Sequence, residues 1–148
     1  MVAGQESASR AKGPETEYAD RIRVLVVIGT RPEAIKMIPV IRELQNSGWF
    51  RPVVIGTGQH ADLVEPLIRR AGLRLDGNLH VGSPSDGVAP SINEIVARVL
   101  DGIDHIWREQ RIPERFASEG RRGPEHSAAC LVHGDTSSAM AAALKGLG

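Results

Sequence analysis

The chain has 148 residues, with eighteen basic side chains balanced by eighteen acidic ones, 41% hydrophobic residues and one cysteine. That length suffices for one domain with a proper core, and the even charge carries no electrostatic footprint for nucleic acid or an anionic membrane surface. Cys130 cannot build a disulfide framework and, set in an apolar run, reads as a small buried hydrophobe.

The first twenty residues are polar and mixed in charge, and are expected to form a disordered tail. They lack the continuous apolar segment of a secretory signal or membrane anchor, and no later stretch is long and apolar enough to span a bilayer. A soluble, cytoplasmic protein is expected, with residues 21–148 as its folded domain. Ile22 to Ile28 (IRVLVVI) is nearly continuous β-branched and leucine sequence, the pattern of a strand covered on both faces. After Gly29 and Thr30, Pro32 suits a first helical turn. Ala34, Met37, Ile38, Ile41 and Leu44 then repeat at helical spacing, with a kink expected at Pro39 and a left-handed cap at Gly48.

A second strand is predicted from Pro52 to Thr57, then a helix near Asp62 to Ala71 closed by Gly72. Leu73 to Pro90 is turn-rich, with a minor strand at Leu79 to Val81. Ser91-Ile92-Asn93-Glu94 has capping-box form and opens a long helix, whose apolar face is Ile92, Ile95, Val96, Val99, Ile103 and Ile106. Residues 111–127 form a polar loop. Ala128 to Val132 is a further strand, followed by His133-Gly134-Asp135-Thr136-Ser137-Ser138 and the helical run AMAAALK.

Strands alternating with helices predict an α/β fold with an open parallel Rossmann-like sheet, whose ligands bind outside the carboxyl ends of the strands. Thr30-Arg31-Pro32-Glu33, Thr57-Gly58-Gln59-His60 and His133-Gly134-Asp135-Thr136 all fall at such ends. The loop at Gly29 is neither a dinucleotide fingerprint nor a P-loop, which argues against a nicotinamide enzyme or P-loop NTPase. It still opens a helix N-terminus, whose free N–H groups favour an anion, and Arg31 adds a planar fork suited to phosphate or carboxylate.

Each residue also has a bland reading. Arg31 can be merely solvated, Glu33 a complement to the helix dipole, and Lys36 a partner to Glu33 one turn earlier. Gln59 and His60 have no partner at metal-ligand spacing, and no metal site is evident. Asp135, with Thr136 and Ser137, can be a helix N-cap; alternatively its carboxylate moves a proton or accepts sugar hydroxyls.

"GTRPEAIKMIPVIREL", "TGQH" and "VHGDTSSAMAAALK", in that order, resemble the amino-terminal half of the non-hydrolysing UDP-N-acetylglucosamine 2-epimerases. The resemblance runs from about Arg23 to the last residue. It implies the amino-terminal domain of a two-domain GT-B fold, and interconversion of UDP-N-acetylglucosamine and UDP-N-acetylmannosamine for surface polysaccharides, without a nicotinamide or metal cofactor. It further implies anti elimination of UDP to 2-acetamidoglucal, after which UDP adds back with a proton delivered to the opposite face of C2.

By position, Arg31 would contact the nucleotide and Lys36 would lie near the active site. Asp135 would be the essential acid, with Thr136 and Ser137 along the same edge. Gln59 and His60 would help hold a second, activating UDP-N-acetylglucosamine, and the full-length protein would be a homodimer. The family continues into an H-x-E-A-G-type segment and a second domain, which these residues do not include. The sequence therefore predicts a truncated epimerase, inactive alone. The alternative is a non-catalytic half-domain that binds a nucleotide sugar or regulates a partner. A glycosyltransferase of similar architecture does not account for G-T-R-P-E.

Overall fold

A computed structural model describes residues 21–109, 128–134 and 136–147. The expected tail at 1–20, the polar loop at 111–127 and Asp135 lie outside the described residues. Strands β1 (Ile22–Ile28), β2 (Phe50–Gly56), β3 (Gly77–Asn78) and β4 (Ala128–Val132) alternate with helices α1 (Arg31–Asn46), α2 (Ala61–Arg70), α3 (Ile92–Glu109) and α4 (Ser137–Leu147).

The four strands form one parallel sheet in the order β3-β2-β1-β4. β1 is central: Leu25 lies beside Val53 on one flank and Cys130 on the other. Its alternate residues serve two cores. Val24, Val26 and Ile28 pack with Met37 and Ile41 of α1 and Val64 and Ile68 of α2. Leu25 and Val27 pack with Val99 and Ile103 of α3 and with Ala141 and Ala142 of α4. Helices on both faces explain why β1 shows no polar alternation, as a doubly covered parallel strand should.

The sequence bounds for β1 and β4 hold to the residue, and β2 begins two residues earlier than expected. The minor strand is displaced. It is Gly77–Asn78, set by pairing with Ile55 and Gly56 and by the Asp76 carboxylate, which accepts the Val54 N–H at 2.8 Å. α1 continues through Pro39 to Asn46. Its end corrects the expectation at Gly48, which does not take a left-handed conformation. Ser47 leaves the helix in an extended conformation, and its hydroxyl accepts the Trp49 N–H at 3.1 Å, so no left-handed residue is required.

α2 does end as expected. Gly72 has φ of 74°, and the N–H groups of Gly72 and Leu73 donate to the carbonyls of Arg69 and Ile68 in a Schellman arrangement. The Ser91 box is also present: the Ser91 N–H donates to Glu94 Oε2 at 2.7 Å, and the Glu94 N–H to Ser91 Oγ at 3.3 Å. Ile92, however, is exposed rather than on the buried face, because the first turn of α3 projects past the core that covers Val99, Ile103 and Ile106. Arg98 holds the turn-rich segment before α3, donating to the carbonyls of Val81 and Ser83 and to Ser85 Oγ.

Candidate functional site

The chain adds β2 and β3 on one side of β1 and β4 on the other, so the strand order reverses between β1 and β4. In open α/β sheets this switch point leaves a crevice outside the strand carboxyl ends. A cleft of about 450 Å³ lies there. The β1–α1 junction supplies Thr30, Arg31, Glu33 and Lys36; α2 supplies His60 and Leu63; the β4–α4 loop supplies His133, Gly134 and Thr136.

Glu33 is the buried member of this set, at 4% exposure. One oxygen, Oε2, accepts the N–H groups of Gly29 at 2.7 Å and Thr30 at 3.0 Å. The other, Oε1, accepts the hydroxyl of Thr136 at 3.0 Å, across 103 residues of sequence. Thr136 Oγ in turn accepts the Ala139 N–H at 3.2 Å, so the same hydroxyl caps α4. Gly134 passes this carboxylate with φ of 114°, and a Cβ there would stand 2.9 Å from Glu33 Oε1. A side chain at 134 would be both strained and too close.

This geometry revises the anion-site expectation. Glu33 already takes the Thr30 N–H, and Pro32 at the second helical position has none. The helix end thus offers the cleft little backbone donation, and its positive dipole end already faces a carboxylate. Anion recognition is left mainly to the exposed side chains of Arg31 and Lys36. The bland pairing of Lys36 with Glu33 is not made. Among the described residues neither Lys36 nor Arg31 forms an ion pair. The lining is therefore cationic, with two further histidines and one carboxylate whose oxygens are both engaged.

Of the residues singled out in the sequence, Arg31, Lys36, His60 and Thr136 come together on the cleft. Gln59 and Ser137 are not in its lining, and Asp135 lies outside the described residues. The Thr57-Gly58 half of TGQH is structural. Thr57 is fully buried, its N–H donates to the Ile28 carbonyl, and its carbonyl accepts the Val81 N–H. Gly58, with φ of 76°, lies where a Cβ would be 2.7 Å from the His80 backbone. His60 follows two residues later as the capping residue of α2.

The sequence reading missed Glu33 as more than a dipole complement, and passed over His133 and Leu63. Thr30-Arg31-Pro32-Glu33 has the same T/S-x-x-E spacing as the Ser91 box, a signal that was available. Among the described residues no group of three or more His, Cys, Asp or Glu side chains could hold a metal ion. No helix among them is long and apolar enough to cross a membrane.

No family model matches the chain. It is 32% identical over 125 residues to UDP-N-acetylglucosamine 2-epimerase of Yersinia pestis, covering 84% of this chain and 28% of that protein. The same enzyme of Escherichia coli K12 is 32% identical over 123 residues, covering 83% and 28%. Among solved structures, the Neisseria meningitidis UDP-GlcNAc 2-epimerase bound to UDP-GlcNAc superposes with a TM-score of 0.65 and 30% identity. It covers 84% of this chain and 29% of that one. A further UDP-N-acetylglucosamine 2-epimerase crystal structure gives a TM-score of 0.66 at 25% identity, covering 86% and 30%. The chain thus spans under a third of the length of the relatives it matches.

Proposed function

We propose that this chain, a member of the UDP-N-acetylglucosamine 2-epimerase family, supplies the part of a nucleotide-sugar site that meets the leaving diphosphate. The substrate of the whole protein is UDP-N-acetylglucosamine and the product UDP-N-acetylmannosamine. The C2 proton has no adjacent carbonyl to acidify it, so direct deprotonation is slow. Anti elimination avoids that difficulty: a base takes the C2 proton, the C–H electrons form the C1–C2 double bond, and the C1–O bond breaks to release UDP. Re-addition of UDP, with a proton delivered to the opposite face of C2, completes the inversion.

Charge develops on the departing diphosphate, and cations fixed near it lower the barrier. Arg31 and Lys36 take that role here, Arg31 by its bidentate fork. Asp135, adjacent in sequence to Thr136, moves the proton or positions the sugar, with Thr136 and Ser137 beside it. Gln59 and His60 hold a second, activating UDP-N-acetylglucosamine. The full-length protein works as a cytoplasmic homodimer.

The observation that carries this proposal is the gathering of Arg31, Lys36 and His60 with the β4 loop at the switch point of the sheet. Titration calorimetry with UDP tests it. The chain should bind UDP, and Arg31→Ala should weaken binding on the order of tenfold or more, the value of hydrogen bonds to a charged group. Equal affinity in Arg31→Ala, or no binding by the parent chain, would overturn it. Binding without turnover is the second reading, favoured for these 148 residues because they span only 28% of the relatives' length. Incubation with UDP-N-acetylglucosamine and chromatographic separation of the epimers distinguishes the two.

A further inference from the structure

Two loops meet in the cleft, and the contact between them is specific. The β1 loop presents Arg31, and the β4 loop carries Thr136. They are 103 residues apart in sequence and are joined by the Glu33 carboxylate. Its Oε2 is committed to the β1 loop through Gly29 and Thr30, and its Oε1 to Thr136. Glu33 itself is buried at 4% exposure, so its bond to Gly29 is shielded from water and those to Thr30 and Thr136 partly so. Gly134 leaves just enough room for the carboxylate to reach Thr136.

We infer that Glu33 is a positioning residue that makes the β1 and β4 loops a single platform, so that the cations of one loop and the polar groups of the other keep a fixed spacing. Glu33 need not touch ligand, because it acts through Thr136 and through the Gly29–Thr30 backbone. A nucleotide diphosphate that spans both loops then binds to a prepared surface and avoids the cost of ordering two independent loops. This role rests on the nucleotide-sugar reading for its ligand but not for its mechanical part, and the two can be tested separately.

The variant Thr136→Val removes the cross-loop hydroxyl while leaving Glu33 its bonds to Gly29 and Thr30. Without ligand, amide hydrogen exchange should quicken several-fold at Gly29 and Thr30, far away in sequence. Glu33→Gln should reciprocally alter exchange at Gly134 and Ala139. Thr136→Ser, which keeps the hydroxyl, should restore the parent pattern. Changes confined to the neighbours of residue 136 in α4 would overturn the strut.

With UDP added, Thr136→Val should weaken binding on the order of tenfold, the thermal melt falling only by what the lost α4 cap costs, and Thr136→Ser should recover both. A lowered melt with unchanged affinity would reduce the contact to a purely structural one and overturn the positioning role. Failure of the parent chain to bind UDP would count against the ligand assignment, whereas the ligand-free exchange still decides the coupling.

Discussion

Two stretches of this chain carry the same local motif and put it to different uses. Thr30-Arg31-Pro32-Glu33 opens α1, and Ser91-Ile92-Asn93-Glu94 opens α3. In both, the glutamate reaches back to accept the N–H of the capping residue, at 3.0 Å for Thr30 and 2.7 Å for Ser91. There the likeness ends. Glu94 is exposed and its hydrogen bonds with Ser91 are local, whereas Glu33 is buried and its second oxygen crosses to Thr136. Position in the sheet makes the difference. α1 starts at the carboxyl end of the central strand, beside the loop after β4, while α3 starts beyond the turn-rich segment at the sheet's far side.

The largest effect should come from Glu33→Ala. It leaves the Gly29 and Thr30 N–H groups unsatisfied at a buried site and deprives the Thr136 hydroxyl of its acceptor. An unsatisfied buried donor costs about 1–3 kcal/mol, so a loss of about 3–5 kcal/mol is expected by denaturant melting. A drop under about 1 kcal/mol would make the two boxes equivalent. Gly134→Ala attacks the same junction from the other side. Its φ of 114° suits glycine alone, and the added Cβ would press on Oε1 of a carboxylate that three hydrogen-bonded groups hold in place. About 1–3 kcal/mol should be lost. An alanine variant as stable as the parent would mean the carboxylate can yield.

The contrast between the two boxes also marks what the sequence discloses. β1 and β4 were legible to the residue: β1 because a strand buried on both faces must be continuously apolar, and β4, a partly buried edge strand, because its short apolar run likewise stops where the chain turns polar. The convergence of three polar loops followed from the alternation of strands and helices, since parallel strands all deliver their carboxyl ends to one edge. β3 was misplaced because two residues, Gly77 and Asn78, carry no periodicity; backbone pairing and Asp76 define them. Gly48 misled because a glycine after a helix is only a frequent cap, and Ser47 turned the chain without it. The spacing of Glu33 from Thr30 was legible, but its bond to Thr136 was not. Nothing within either segment indicates which distant loop will lie 3.0 Å away.

The smallest effect, and the sharpest test of the contrast, belongs to Glu94. The Ser91 backbone N–H, then the Ser91 hydroxyl, hold its carboxyl below the usual carboxylate range; the nearby Arg98 guanidinium acts in the same direction and modest desolvation opposes them. A group whose pKa is lower in the folded than in the unfolded chain contributes stability above its unfolded value, and that contribution fades as pH falls through the folded value. The gap in melting temperature between the parent chain and Glu94→Gln should therefore be small and constant near neutrality, and close as the solution is made more acid than the ordinary carboxylate range. Because the site is open to solvent, added salt should also shrink the part due to Arg98. A gap that persists in acid would show that Glu94 contributes through packing or capping geometry rather than through its charge, and would place the exposed box nearer to the buried one than the structure implies.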